Sequence, residues 1–150
     1  MRAVVQRVSE AGVTVDGDVV GQIGRGFLVL LGIAHADTEK EADWLARKIA
    51  GLRLFEDGEG KMNLSLADVD GAGVGCEPVH ALRRRPQRTS PQLHRSRPPR
   101  TCPAALRLLL PTTGRRRRPV ERGIFQAEMK VSLINDGPVT LWLETEKNGA

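Results

Sequence analysis

Cysteine is scarce in this chain. Its 150 residues include two, Cys76 and Cys102. They have no Cys-x-x-Cys spacing and no paired histidines around them, so neither a disulfide framework nor a metal site is supported, and a reducing cytosol is the default. Long apolar runs are missing as well. The opening Met1-Arg2-Ala3-Val4-Val5-Gln6-Arg7-Val8 has no signal-peptide core, and no run approaches the length that spans a bilayer. A soluble cytoplasmic protein with no membrane partner is expected. Aromatic residues are only 3% of the chain, and none lies between Val74 and Pro119; lysine is absent from that segment too.

What that segment does contain is arginine and proline. It holds 12 of the chain's 23 basic residues, eight of its nine prolines and a single acid, Glu77. The net +5 therefore divides into a strongly basic middle and a mildly acidic remainder. A stretch of this composition cannot build a packed core. The rest has the length and apolar content of one domain.

Outside the segment, strand patterns dominate. Arg2 to Val8 and Gly12 to Val15 read as two strands, Asp16-Gly17-Asp18 as a tight turn, and Val19 to Ile23 as the continuation of a meander. The continuous apolar run from Gly26 to Ile33 fits the centre of a sheet. Thr38-Glu39-Lys40-Glu41 has capping-box spacing and opens a helix with Ala42, Leu45, Ala46 and Ile49 on its core face. Leu52 to Phe55 reads as a strand, Asp57-Gly58-Glu59-Gly60 as a turn, and Lys61 to Leu66 follows it. Glu128 to Ile134 and Val139 to Glu144 read as two more strands, with Asn135 to Pro138 as their connection. No internal repeat is present. The fold class expected is α+β, a β-rich single domain over residues 1–150, with residues 74–119 irregular.

Asn135-Asp136-Gly137-Pro138-Val139-Thr140, flanked by Met129 to Ile134 and by Leu141-Trp142-Leu143, resembles the Gly-cis-Pro signature of the D-aminoacyl-tRNA deacylases, also called the D-tyrosyl-tRNA deacylase family. The resemblance extends over Met1 to Leu66 and Val120 to Thr145. It implies hydrolysis of the ester between a D-amino acid and the terminal ribose of tRNA, hence chiral proofreading, by a homodimer that needs no cofactor. It further implies that Gly137 and Pro138 of one subunit enter the partner's pocket, where main-chain carbonyls hold the substrate's amino group and exclude an L side chain. Glycine would permit close backbone approach and proline would fix the bend. Asn135 and Thr140 are supporting residues, and local turn stabilisation is the other reading of both. Backbone N–H groups suit the stabilisation of an oxyanion, so no protein nucleophile is required.

The family's Ser-Gln-Phe-Thr-Leu motif, which carries those donors, is absent here, so no catalytic residue can be assigned. Its absence has a specific explanation. If Cys76 to Leu82 were encoded TGC GAG CCA GTT CAC GCT CTA, reading from the second base would give Ala-Ser-Gln-Phe-Thr-Leu. The same shift permits family-like sequence through Leu93 and again over Ala105 to Leu109. The expectation is a frameshift entering near Val74 to Cys76 and corrected near Arg115 to Val120, which would leave residues 74–119 as an aberrant segment in place of the catalytic loop. Taken literally, such a chain would lose more core than a folding margin of about 5–15 kcal/mol tolerates and would be poorly folded and inactive. The competing reading takes Arg83 to Arg85, Arg95 to Arg100 and Arg115 to Arg118 as an arginine-rich RNA-binding arm without hydrolase activity. His35 reads as a loop histidine, His80 and His94 fall in the aberrant frame, Met62 and Asn63 receive no chemistry, and Phe125 and Met129 read as core, packing near the nucleotide being the other reading of both.

Overall fold

The computed structural model describes residues 1–34, 37–76, 120–122 and 128–145. These form β1 (Arg2–Val15), β2 (Asp18–Ile23), β3 (Gly26–Gly32), α1 (Glu39–Ala50), β4 (Arg53–Glu56), β5 (Met62–Ser65), β6 (Ala72–Cys76), β7 (Val120–Arg122) and β8 (Met129–Glu144). The order β2-β1-β3-β6-β7 makes the main sheet, and β8 lies along the other edge of β1; β4 and β5 form a separate hairpin. The β-rich α+β class expected from the sequence is what is found.

Register explains the burial pattern. β1 runs antiparallel to β3 over Arg2–Val8 and to β2 over Ala11–Val15, while β8 accompanies it from end to end. Ala3 and Val5 point to one face of the sheet; there they meet Phe27, Val29 and Leu31 of β3 and the buried Ala42, Leu45, Ala46 and Ile49 of α1. Val8 points to the other face, joined by Ala11, Val13, Leu28 and Val74. Strict alternation from Val8 would send Ala11 and Val13 back toward the helix. The irregularity between Val8 and Glu10, where two steps along β1 match one along β8, resets the parity and keeps them on Val8's side. One continuous strand thus replaces the two expected, and Ser9-Glu10 is a bulge rather than a break. β3 is uniformly apolar because both its faces are covered.

Parallel pairing sets β6 against β3, so Val74, Gly75 and Cys76, placed in the irregular segment by sequence, extend the sheet instead. Gly26 is needed at that junction: a Cβ there would lie 1.8 Å from the Ala72 carbonyl oxygen, which is backbone and cannot yield. Residues 77–119, with Cys102, His80, His94 and all twelve arginines of the segment, lie outside the described residues, as do His35 and Phe125. Met129 is half-buried against the second core cluster, as expected.

The capping box at Thr38 is formed in full, with the Thr38 N–H donating to the Glu41 carboxylate at 2.6 Å and the Lys40 N–H to the Thr38 hydroxyl at 3.3 Å. Just before it, the buried Asp37 accepts from the Met1 ammonium (2.8 Å) and the Ala34 N–H (2.7 Å), while Thr145 Oγ1 lies 2.6 Å from the same ammonium. The two ends of the described chain are thereby tied together beside the start of the helix. Among the described residues, no helix is long and apolar enough to cross a membrane.

Candidate active site

The sequence directs attention to Asn135, Gly137, Pro138 and Thr140, and the structure brings the first three into one construction. β8 does not end at Ile134: it continues to Glu144 as a single strand. Its pairing with β1 jumps from Val8↔Asn135 to Gln6↔Thr140, so the four residues Asp136 to Val139 stand opposite Arg7 alone. The expected connection between two strands is instead a wide bulge within one, and a bulge is a means of aiming backbone away from a sheet. Gly137, with φ of +101°, makes the reversal, and Gly137 and Pro138 are both exposed at its tip. The Gly137–Pro138 peptide is trans, which corrects the cis bond implied by resemblance. Trans is the lower-energy form of X-Pro by about 0.5–1 kcal/mol, and the left-handed glycine already supplies the bend.

Two side chains fix the bulge from within. Asn135 closes its base: Nδ2 donates to the Arg7 carbonyl at 2.9 Å and to the Val139 carbonyl at 3.1 Å. Both acceptors are main chain left over where the ladder is interrupted. Arg7 fills its interior. The guanidinium is 5% exposed; Nε donates to the Asp136 carbonyl at 3.0 Å and lies 3.3 Å from the Asp136 carboxylate, while Nη1 donates to the Leu54 carbonyl. A Cβ on residue 137 would sit 2.1 Å from Arg7 Nη2, so the absence of a side chain at Gly137 is what admits the guanidinium.

Arg7 was not singled out by sequence. The available signal is parity: Ala3, Val5 and Arg7 share one face of β1, and a cation on the covered side of a strand must find acceptors. One of those acceptors comes from β4, whose position is set by Phe55. That ring is fully buried, stacked on Phe27 with centroids 5.1 Å apart, and covered by the Arg25 guanidinium at 5.1 Å. A chain of contacts therefore runs from the sheet core through Phe55 and Leu54 to Arg7 and on to the exposed tip. Thr140 is less engaged. It is exposed, and its hydroxyl accepts a long hydrogen bond, 3.4 Å, from Gln6 Nε2.

Chemically, the arrangement offers a rigid, solvent-facing piece of main chain with no side chain at one position and a ring at the next. Among the described residues, no group of three or more His, Cys, Asp or Glu is arranged to hold a metal ion.

Comparison with known proteins gives the geometry its context. A family model described as D-Tyr-tRNA(Tyr) deacylase matches residues 4–144. A protein of Geotalea uraniireducens (strain Rf4), named D-aminoacyl-tRNA deacylase, is 50% identical over 148 residues, covering 99% of this chain and 96% of that one. Among solved structures, the c-Myc DNA Unwinding Element Binding Protein superposes with a TM-score of 0.82 at 38% identity, over 98% of this chain and all of that one. A probable eukaryotic D-amino acid tRNA deacylase superposes with a TM-score of 0.67 over 95% of this chain and 97% of that one; at 15% identity the likeness is one of fold.

Proposed function

Because this chain belongs to the D-Tyr-tRNA(Tyr) deacylase family, a family of hydrolases that split D-aminoacyl-tRNA into D-amino acid and tRNA, we propose that Gly137 and Pro138 are its chirality filter. The observation that carries this reading is the exposed main-chain tip held rigidly by Arg7 and Asn135. A filter of backbone atoms is indifferent to which D-residue is attached, because it bonds what every aminoacyl ester shares. Rigidity matters because a misplacement of about 1 Å can cost roughly 10²-fold in rate.

The filter acts across a homodimer, the tip of one subunit completing the partner's pocket. Exposed apolar side chains on β8 support an association of this kind: Ile134 and Trp142 are 55% and 60% exposed, and Trp142 pairs with Val4 in register. Asn135 positions the tip, and Thr140 lines its approach. No cofactor takes part, and the reaction belongs in the cytoplasm, where charged tRNA is.

The oxyanion-stabilising half of the site is assigned to no residue here. In the family it lies with the Ser-Gln-Phe-Thr-Leu motif, and in this sequence residues 74–119 occupy that place. We read everything in that stretch beyond Cys76 as off-frame sequence. Resequencing the gene from the codon for Asp70 to that for Arg122 decides the point; codons that forbid the Ala-Ser-Gln-Phe-Thr-Leu frame would defeat it.

The filter itself is tested, in the protein expressed from the frame-restored gene, by deacylation of matched D- and L-aminoacyl-tRNA. Pro138→Ala is expected to lower D-ester turnover at least roughly tenfold, about 1.4 kcal/mol of transition-state stabilisation, while overall stability hardly changes because Pro138 is exposed. Unaltered turnover and discrimination would refute the assignment.

A further inference from the structure

We infer that the outward face of α1 is a contact surface for the phosphate backbone of tRNA, with Trp44 as a platform for an unstacked base. This rests on the reading of the chain as acting on tRNA. Trp44 is 48% exposed on the side of the helix away from the buried Ala42, Ala46 and Ile49. Lys40, Arg47 and Lys48 stand four before, three after and four after it, the spacings that bring side chains together on a helix surface. With Asp43 they line a shallow concavity of about 480 Å³.

Intramolecular stability does not account for the set. Among the described residues, none of the three cations forms an ion pair. Asp43 is four residues before Arg47, a pairing distance that goes unused, and Glu41 is turned to Thr38. The helix dipole favours Arg47 and Lys48 in the last turn. It disfavours Lys40 in the first turn, and it gives no reason for a large aromatic on the solvent side. Cations with no ion pair among the described residues, set around an exposed indole, are instead what binds nucleic acid, the cations meeting phosphates and the ring a base.

The position fits as well. The last turn of α1 passes through Gly51 and Leu52 into β4, whose Leu54 carbonyl bonds the arginine that holds the Gly137–Pro138 tip. Arg47 and Lys48 thus lie at the end of the helix nearest the proposed filter.

The test uses the full chain and uncharged tRNA. In a Trp142→Phe background Trp44 is the single tryptophan, and its fluorescence is expected to quench as tRNA is added. K40A/R47A/K48A should lower the slope of log affinity against log salt by about two to three, W44A should weaken binding by roughly tenfold, and K40R/R47K/K48R should retain the wild-type slope. In the protein expressed from the frame-restored gene, hydrolysis of a D-aminoacyl-adenosine, too short to reach α1, should be unaffected by all of them. An unchanged slope and affinity in the triple alanine variant would overturn the surface, as would equal quenching by polyglutamate, which would point to an acidic protein partner. Failure of the frame-restored protein to cleave the small ester, with the tRNA results as expected, would count against the deacylase reading and leave the surface standing.

Discussion

Arg7→Met asks whether the Gly137–Pro138 tip is held from behind. Methionine retains most of the apolar length and removes the charge. It leaves the Asp136 and Leu54 carbonyls without their donor in a region where water has little access. Hydrogen bonds to charged groups contribute about 1.5–3 kcal/mol each, against which stands the relief of desolvating a guanidinium that is 5% exposed. The expected net loss is about 2–4 kcal/mol. The acid on the other side of the pair should behave differently. Its side chain is 44% exposed and can be rehydrated, so Asp136→Asn should cost less than about 1 kcal/mol. Urea unfolding followed by tryptophan fluorescence measures both, and in thermal terms Arg7→Met should lower Tm by roughly 5–15 °C. Comparable losses for the two substitutions, or a loss below about 1 kcal/mol for Arg7→Met, would show that the guanidinium is not what fixes the bulge.

Gly137→Ala should be worse for function than for folding: its Cβ meets Arg7 Nη2 at 2.1 Å and its φ is +101°, so a strain of about 1–3 kcal/mol and, in the frame-restored protein, loss of D-ester turnover are expected together, read by denaturation and by deacylation of D-aminoacyl-tRNA. Asp37→Ala strands a buried ammonium and the Ala34 N–H, and should destabilise by about 3–5 kcal/mol in the same urea titration. Thr38→Ala should cost about 1 kcal/mol through loss of the cap. Stability should also depend on acid through that cap. Bonds from the Thr38 hydroxyl and then its N–H hold the Glu41 carboxyl below the ordinary glutamate range. Its contribution is therefore complete above that range and disappears as the pH falls through the lowered value. A chain whose midpoint in urea is flat from pH 5 to pH 3, with or without Thr38, would contradict this.

Local rules carried much of the fold. The capping box and the four inward residues of α1 were legible because both depend on neighbours within one turn, and β3 was legible because a strand covered on both faces has no polar positions. The two long strands were each read as a pair. Ser9-Glu10 and Asn135 to Pro138 look like breaks in sequence, yet their neighbours on both sides pair with the same partner, which only register can disclose. β6 went unseen because Ala72-Gly73-Val74-Gly75 has little strand character of its own and is fixed by pairing with β3. In the site, Gly137 and Pro138 were legible as a motif. Arg7 was not, since its acceptors are carbonyls 47 and 129 residues away along the chain.

The bulge opposite Arg7 also has a bearing on solubility. Among the described residues β8 pairs with β1 alone, so sixteen residues rich in Val, Leu and Ile present a free edge of N–H and C=O groups, the kind of template on which chains add to one another. Four residues that leave the ladder in the middle of that edge, one of them a proline with no N–H to offer, divide it into two short runs. A copy approaching in register would match one run and be thrown out of step at the other. Closing the bulge by deleting residues would give a straighter strand and a chain more prone to form fibres.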